Sequence, residues 1–176
     1  DIVQQERAKF GDFEKMVTMP QYMSEIIAEI TSLARRSPDI NQRSGVSVRV
    51  SIANHETAMS NALRRAIAQG EKRSAPRISD LPAILASTTG KIELETVEEG
   101  REPRIIEELT KKAVLNVFAR YFNVRDFDPL VLKFEEGLKV ETGSDIPSQK
   151  YLRLIKDLEG LSPALERLES AASTEE

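Results

Sequence analysis

Arg35-Arg36-Ser37-Pro38-Asp39-Ile40-Asn41-Gln42-Arg43-Ser44-Gly45-Val46-Ser47-Val48-Arg49-Val50-Ser51-Ile52-Ala53-Asn54 is a stretch in which one helix stops, the chain turns and a second helix starts. Upstream, Pro20 stands where a first-turn proline is tolerated, and Met23, Ile26, Ile27, Ile30, Leu33 and Ala34 follow the spacing of one helical face. That helix has to end before Pro38, because the run from Ser37 to Gly45 is dense in turn formers. Downstream, a second helix starts near Ser47. Ile52, Met59, Leu63, Ala66 and Ile67 share its apolar face, Arg64 and Arg65 project elsewhere, and Gly70 stops it.

Further along, Glu71-Lys72-Arg73-Ser74-Ala75-Pro76 reads as a basic turn, after which Ser79 or Asp80 caps a short helix through Leu81, Ile84 and Leu85 that closes at Thr88-Thr89-Gly90. Lys91-Ile92-Glu93-Leu94-Glu95 alternates polar and apolar as a short extended segment does, and Gly100 and Pro103 interrupt the next stretch of chain. A subdomain boundary is expected here, dividing residues 1–95 from 96–176. Ile106, Leu109, Ala113, Val117 and Phe118 mark another long helix to about Phe122. Shorter helices are expected over Pro129 to Glu136, Pro147 to Leu158 and Pro163 to Leu168, the last two opening with proline near the first helical position, and the tail Ser170 to Glu176 should fray. The expected fold is mostly α, a helical bundle over residues 1–95 followed by an acidic helical C-terminal extension.

Composition agrees with that reading. With 176 residues, of which 40% are hydrophobic, the chain can bury a core, and its 5% aromatic content with no Trp favours helix over strand. The absence of Cys removes disulfides and thiolate chemistry, and a single His is too few for a histidine metal cluster, so no metal site is expected. No run approaches the roughly 20 apolar residues that cross a bilayer, and Asp1-Ile2-Val3-Gln4-Gln5 has no signal-peptide pattern. The expectation is a soluble cytoplasmic protein with no membrane partner.

The net charge of −4 is unevenly distributed. From Leu33 to Arg77 there are nine Lys or Arg against three acids, a local excess of +6 that leaves −10 for the rest. A basic segment in an acidic protein points to an anion: a nucleotide phosphate, nucleic acid or an acidic surface. The alternative is a solvated helix face.

The motifs of a complete ATPase core are missing. There is no glycine-rich GxxxxGK[ST] loop and no acidic pair after an apolar strand, and Gly90-Lys91 reads as a helix stop. His55 with Glu56 reads as a packing or surface residue rather than a general base. Glu98-Glu99, Glu107-Glu108 and Glu135-Glu136 read as solvated charge. No catalytic residue is expected in this chain.

The quoted stretch, and above all Ser47-Val48-Arg49, resembles the lid of AAA+ ATPases in the branch of the magnesium-chelatase ATPase subunit and the MoxR-type ATPases, where a small-x-Arg step opens a lid helix. Arg77-Ile78-Ser79-Asp80-Leu81 is similar to the family's short step into the last lid helix. Together the two blocks cover roughly residues 20 to 90. The resemblance implies that Arg49 is the sensor 2 arginine, contacting ATP phosphate and coupling nucleotide state to remodelling or metal insertion, with Arg43 as the fallback. It also implies ATP and Mg²⁺ in the full-length protein, with neither expected on this fragment, and as partners the protein's own AAA+ core, neighbouring ring subunits and a protein client. The chain departs from the pattern after the second block, where a typical lid would end but Glu93 to Glu176 continue. Two rival readings remain: a nucleic-acid-associated module of a transcription regulator that uses the Arg-rich segment, for which no helix-turn-helix is recognisable, and a non-catalytic helical adaptor.

Overall fold

The computed structural model describes residues 15–96, 100–143, 145–158, 161 and 164–168. The protein is mostly helical, and no β-strand occurs among the described residues. Helix α1 is Gln21–Ala34, α2 Val48–Gln69, α3 Ile84–Thr88, α4 Arg101–Tyr121, α5 Asp128–Glu135 and α6 Ser148–Asp157, with 3₁₀ turns at Ile78–Ala83 and Val124–Phe127. None of these helices is long and apolar enough to cross a membrane. The expected tail from Ser170, the opening at Pro163 and the pair Glu98-Glu99 lie outside the described residues.

The chain divides into two compact units, one ending at Val117 and one beginning at Phe118. In the first, α1 has no side-chain cap at Pro20 and draws its stability from burial: Met23, Ile26, Ile27 and Ile30 are all at most 2% exposed. Each such side chain contributes about 1.5–3 kcal/mol on leaving water, more than the roughly 1 kcal/mol of a missing cap. Helix α1 ends at Ala34, before Pro38 as its sequence demands.

Helix α2 is the central rod. Ser47 caps it, its hydroxyl accepting the Arg49 backbone N–H, and Gly70 ends it in the left-handed region at φ 65. It packs against α1, the Ile78–Ala83 turn and α3. Its buried face includes Met59 and Ala66 of the expected set, with Ile52 and Leu63 half-buried, but it also takes in residues outside that set. Ser51, Asn54, His55, Ala58, Ala62 and Arg65 are buried, whereas Ile67 is 59% exposed. Small residues on that stripe let neighbouring elements approach closely, and the Thr31 and Ser51 hydroxyls hydrogen-bond across the α1–α2 contact at 2.6 Å. Small and polar residues thus join Val50 and Met59 on the buried face.

Two pairs of chain segments are tied near the two ends of α2. Ile40 forms an antiparallel bridge with Leu94, through Asn41 N–H to Glu93 C=O at 2.8 Å and Glu95 N–H to Asp39 C=O at 2.9 Å. The alternating Ile92–Glu95 segment is thus extended and paired with the loop after α1. Near the other end, Val17 bridges Ser74. One core cluster gathers Ala34, Ile40, Val46, Val50, Ile92 and Ile106, with Leu85, Leu94 and Leu109 packed on it. Because Ile106 and Leu109 of α4 belong to it, the first unit runs past the expected boundary at residue 95. Pro103 sits in the first turn of α4, where a proline is tolerated.

In the second unit, the rings of Phe118, Phe122 and Phe127 form a cluster with centroids 5.0–5.5 Å apart. Helix α5 has Pro129 in its first turn, and Pro147 is the N-cap of α6 rather than its first residue. The Tyr151 hydroxyl accepts the Gly143 N–H and donates to its carbonyl. Residues 164–168 are helical.

Candidate functional site

The junction between α1 and α2 combines local hydrogen bonds with ties to residues 93–95 and Arg101. The Gln42 side-chain amide donates to the carbonyls of Ser37 and Ile40 at 2.9 and 3.0 Å, and the Asn41 carboxamide accepts the Arg43 N–H at 2.9 Å. Ser44 donates to the Glu93 carboxylate. Gly45 takes φ +67, a region closed to most side chains, and turns the chain into Val46. Arg35 Nε then donates to the Val46 carbonyl at 3.0 Å, and Val46 and Val50 are buried at 6% and 1%.

The two arginines predicted as phosphate sensors both lie on this scaffold. Arg49 is in the first turn of α2 between the buried Val46 and Val50, and its side chain is exposed. Arg43 is exposed on the loop itself. Neither guanidinium meets a hydrogen-bond acceptor or an acid among the described residues. The two are therefore anchored through their backbones while their charged ends are available.

The wider basic segment does not form one patch. Arg36 donates to Ser32, and Arg64 to the side-chain Oδ1 of Asn61. Lys72 and Arg73 are exposed, but they follow the C-terminus of α2, and Arg49 is at its N-terminus. A 22-residue helix spans roughly 33 Å at about 1.5 Å per residue, so these exposed cations sit at opposite ends of a rod.

Arg65, expected from the helical pattern to project away from the core, does the opposite. Its side chain is 2% exposed, and its Nη1 contacts Asp80 Oδ1 and Oδ2 at 2.5 and 2.6 Å. Nη2 donates to the Ala75 carbonyl at 2.7 Å. Asp80 also accepts from the Asn61 amide at 2.9 Å and the Arg77 N–H at 2.7 Å, so it closes the Ile78–Ala83 turn from inside. A carboxylate with four donor contacts around it can be buried at tolerable cost. The signal in the sequence is the Ser51, Asn54, Ala58, Ala62, Arg65 spacing of three and four, which is a helical stripe of small and polar residues. Nearby, burial pushes the Tyr22 phenol above its ordinary pKa of 10.0, the Asp80 carboxylate adds to that, and Arg77 opposes it.

His55 is 3% exposed in the core, in keeping with a packing role. Gly90 takes φ +74 at the end of α3, as a helix stop does. Glu107 and Glu108 pair with Lys111 and Arg104 one turn away on α4, and Glu135 and Glu136 are exposed. Among the described residues no group of three or more His, Cys, Asp or Glu side chains could hold a metal ion. An apolar groove of about 830 Å³ runs between the Ile78–Ala83 turn and α4, lined by Ile78, Leu81, Leu85, Ile106, Val114 and Leu115 among others.

Comparison with protein-family models, with curated proteins and with solved structures gives no match for this chain.

Proposed function

We propose that this chain is the lid region, with a helical C-terminal extension, of an AAA+ ATPase of the magnesium-chelatase and MoxR kind, in which Arg49 reads the phosphates of ATP. The observation that supports this reading is a guanidinium that meets no acceptor among the described residues, in the first turn of a 22-residue helix, next to a loop held by hydrogen bonds. Exposure alone would not distinguish Arg49 from any surface arginine. The scaffold beneath it does, because a contact made across a cleft requires the donor's backbone to be fixed before the phosphate arrives. The helix N-terminus adds a partial positive charge of the same sign.

In this reading Arg49 donates from its planar fork to γ-phosphate oxygens, and it remains charged at every physiological pH. Loss of that contact after hydrolysis changes the angle between lid and core, and in a ring the rotation reaches the neighbouring subunit. ATP and Mg²⁺ are held by the core, and the contribution of this chain is the arginine.

In the intact parent ATPase, Arg49→Ala is expected to lower ATP turnover with the melting temperature unchanged. An arginine finger costs roughly 10³-fold when removed, and a sensor contact costs less. Arg43→Ala is the control. Loss on Arg43→Ala alone would move the sensor to Arg43, and silence of both in folded protein would end the proposal. The adaptor reading has the apolar groove on its side, and it predicts that same silence. The nucleic-acid reading predicts binding that falls log-linearly with salt, and the separation of free cations along α2 speaks against a continuous stripe.

A further inference from the structure

Arg101 opens α4, where the helix dipole disfavours a cation and an acid is the favoured residue. The adjacent residue, Glu102, has the favoured sign, and its carboxylate accepts the Gly90 N–H at 2.9 Å, tying α4 to the turn that ends α3. Arg101 reaches the other way. Its Nη2 donates to Asp39 Oδ1 at 2.7 Å across 62 residues of chain, and its Nη1 donates to Thr96 Oγ1 at 2.6 Å. Asp39 is the residue whose carbonyl accepts the Glu95 N–H, and two residues on Asn41 donates to Glu93. Glu93 in turn accepts from Ser44, the residue after Arg43.

We propose that the first turn of α4 and the segment 93–95 form a clasp on the loop between α1 and α2, with Arg101, Asp39 and Glu93 as positioning residues that set where Arg43 and Arg49 stand. Both sides of the clasp are short, and they close beside Ile40 and Val46, which share a core cluster with Ile106 of α4. The pair is half exposed, with side chains 36% and 40% accessible, so it contributes little to global stability. Its effect is on register. The cation, disfavoured at a helix start, holds the loop there, and movement of the α4 first turn is thereby transmitted to the arginines. The functional half of this proposal rests on the lid reading; the structural half does not.

Two measurements separate the halves. In this chain, amide hydrogen exchange is followed at Asn41 and Glu95, whose N–H groups make the bridge. Arg101→Ala is expected to speed exchange at both while leaving buried amides of α1 and α2 unchanged, and unchanged exchange at Asn41 and Glu95 overturns the clasp. In the intact parent ATPase, Arg101→Asp and Asp39→Arg are each expected to lower turnover by about 10- to 10²-fold, the scale of a misplaced contact, and their combination to restore most of it. Arg101→Gln serves as the milder variant if the charge reversal fails to fold. With Arg49→Ala run alongside, silent clasp variants beside a slowed Arg49→Ala overturn the clasp and leave the lid reading standing. Silence of both Arg49→Ala and Arg43→Ala overturns the lid reading, and the exchange result then judges the clasp by itself.

Discussion

The two ends of α2 carry the same kind of residue and use it in opposite ways. At the N-terminal end Arg49 stands in solvent on a capped helix start; near the C-terminal end Arg65 is sealed against Asp80 and the Ala75 carbonyl, with Asn61 closing on the same carboxylate. In a count of charge the two are identical. In energy they are far apart, because an exposed arginine has exchanged nothing with water, whereas a buried one has surrendered its hydration and depends on every partner it retains. The difference teaches that a basic segment is a sum of unlike contributions, and that an anion-binding argument can use only the cations left over after internal pairing.

The strongest way to break this contrast is Arg65→Ala. It leaves Asp80 buried with its main charge partner gone, and the expected loss is about 3–5 kcal/mol in urea unfolding. A loss under about 1 kcal/mol would mean that Asp80 takes up a proton or water at little cost, and the two ends would then be alike. The paired change Arg65→Met with Asp80→Leu should recover much of the loss, since it removes both charges together.

At the other end the backbone cap, not the guanidinium, should carry the stability. Ser47→Ala is expected to cost about 1 kcal/mol by orphaning the Arg49 N–H, and Arg49→Ala to stay within about 0.5 kcal/mol. Denaturant titration of both variants checks this. An Arg49→Ala cost larger than that of Ser47→Ala would show that the arginine is packed rather than poised.

The smallest effect is one of pH. Tyr22, held above its ordinary 10.0 by burial and by Asp80, keeps its phenolic proton more tightly folded than unfolded. Its contribution to stability is complete below about pH 10 and disappears as pH rises through the raised folded value. The melting temperature should therefore fall more steeply above about pH 10 in the native protein than in Tyr22→Phe, the difference cancelling the lysines that titrate in both. Identical slopes would remove Tyr22 from the buried end's electrostatics.

Much of this architecture is legible residue by residue. Pro38 ends α1, Ser47 and Gly70 bound α2, and the alternation of Ile92 to Glu95 gives an extended segment, because each of these signals acts within one turn of itself. The placement of Arg49 at a helix start is legible for the same reason. The buried face of α2 is legible only in part. Periodicity finds Met59 and Ala66, but it weights Ile52, Leu63 and Ile67 equally and passes over the buried Ser51, Ala58 and Ala62, whose small side chains admit a neighbour. Arg65 escapes the same reading, since its partner lies 15 residues away.

The sequence by itself determined where α1 and α2 begin and end, which loop carries Arg43 and which helix start carries Arg49, because caps, prolines and positive-φ glycines act on their immediate neighbours. Only the tertiary structure decided that Arg65 is an internal ion and Arg49 an exposed one, and that residues 93–95 and Arg101 close on the loop at Asp39. Those outcomes depend on which distant acceptors fold within reach, and the desolvation that makes a charge costly or harmless exists only once the chain is packed.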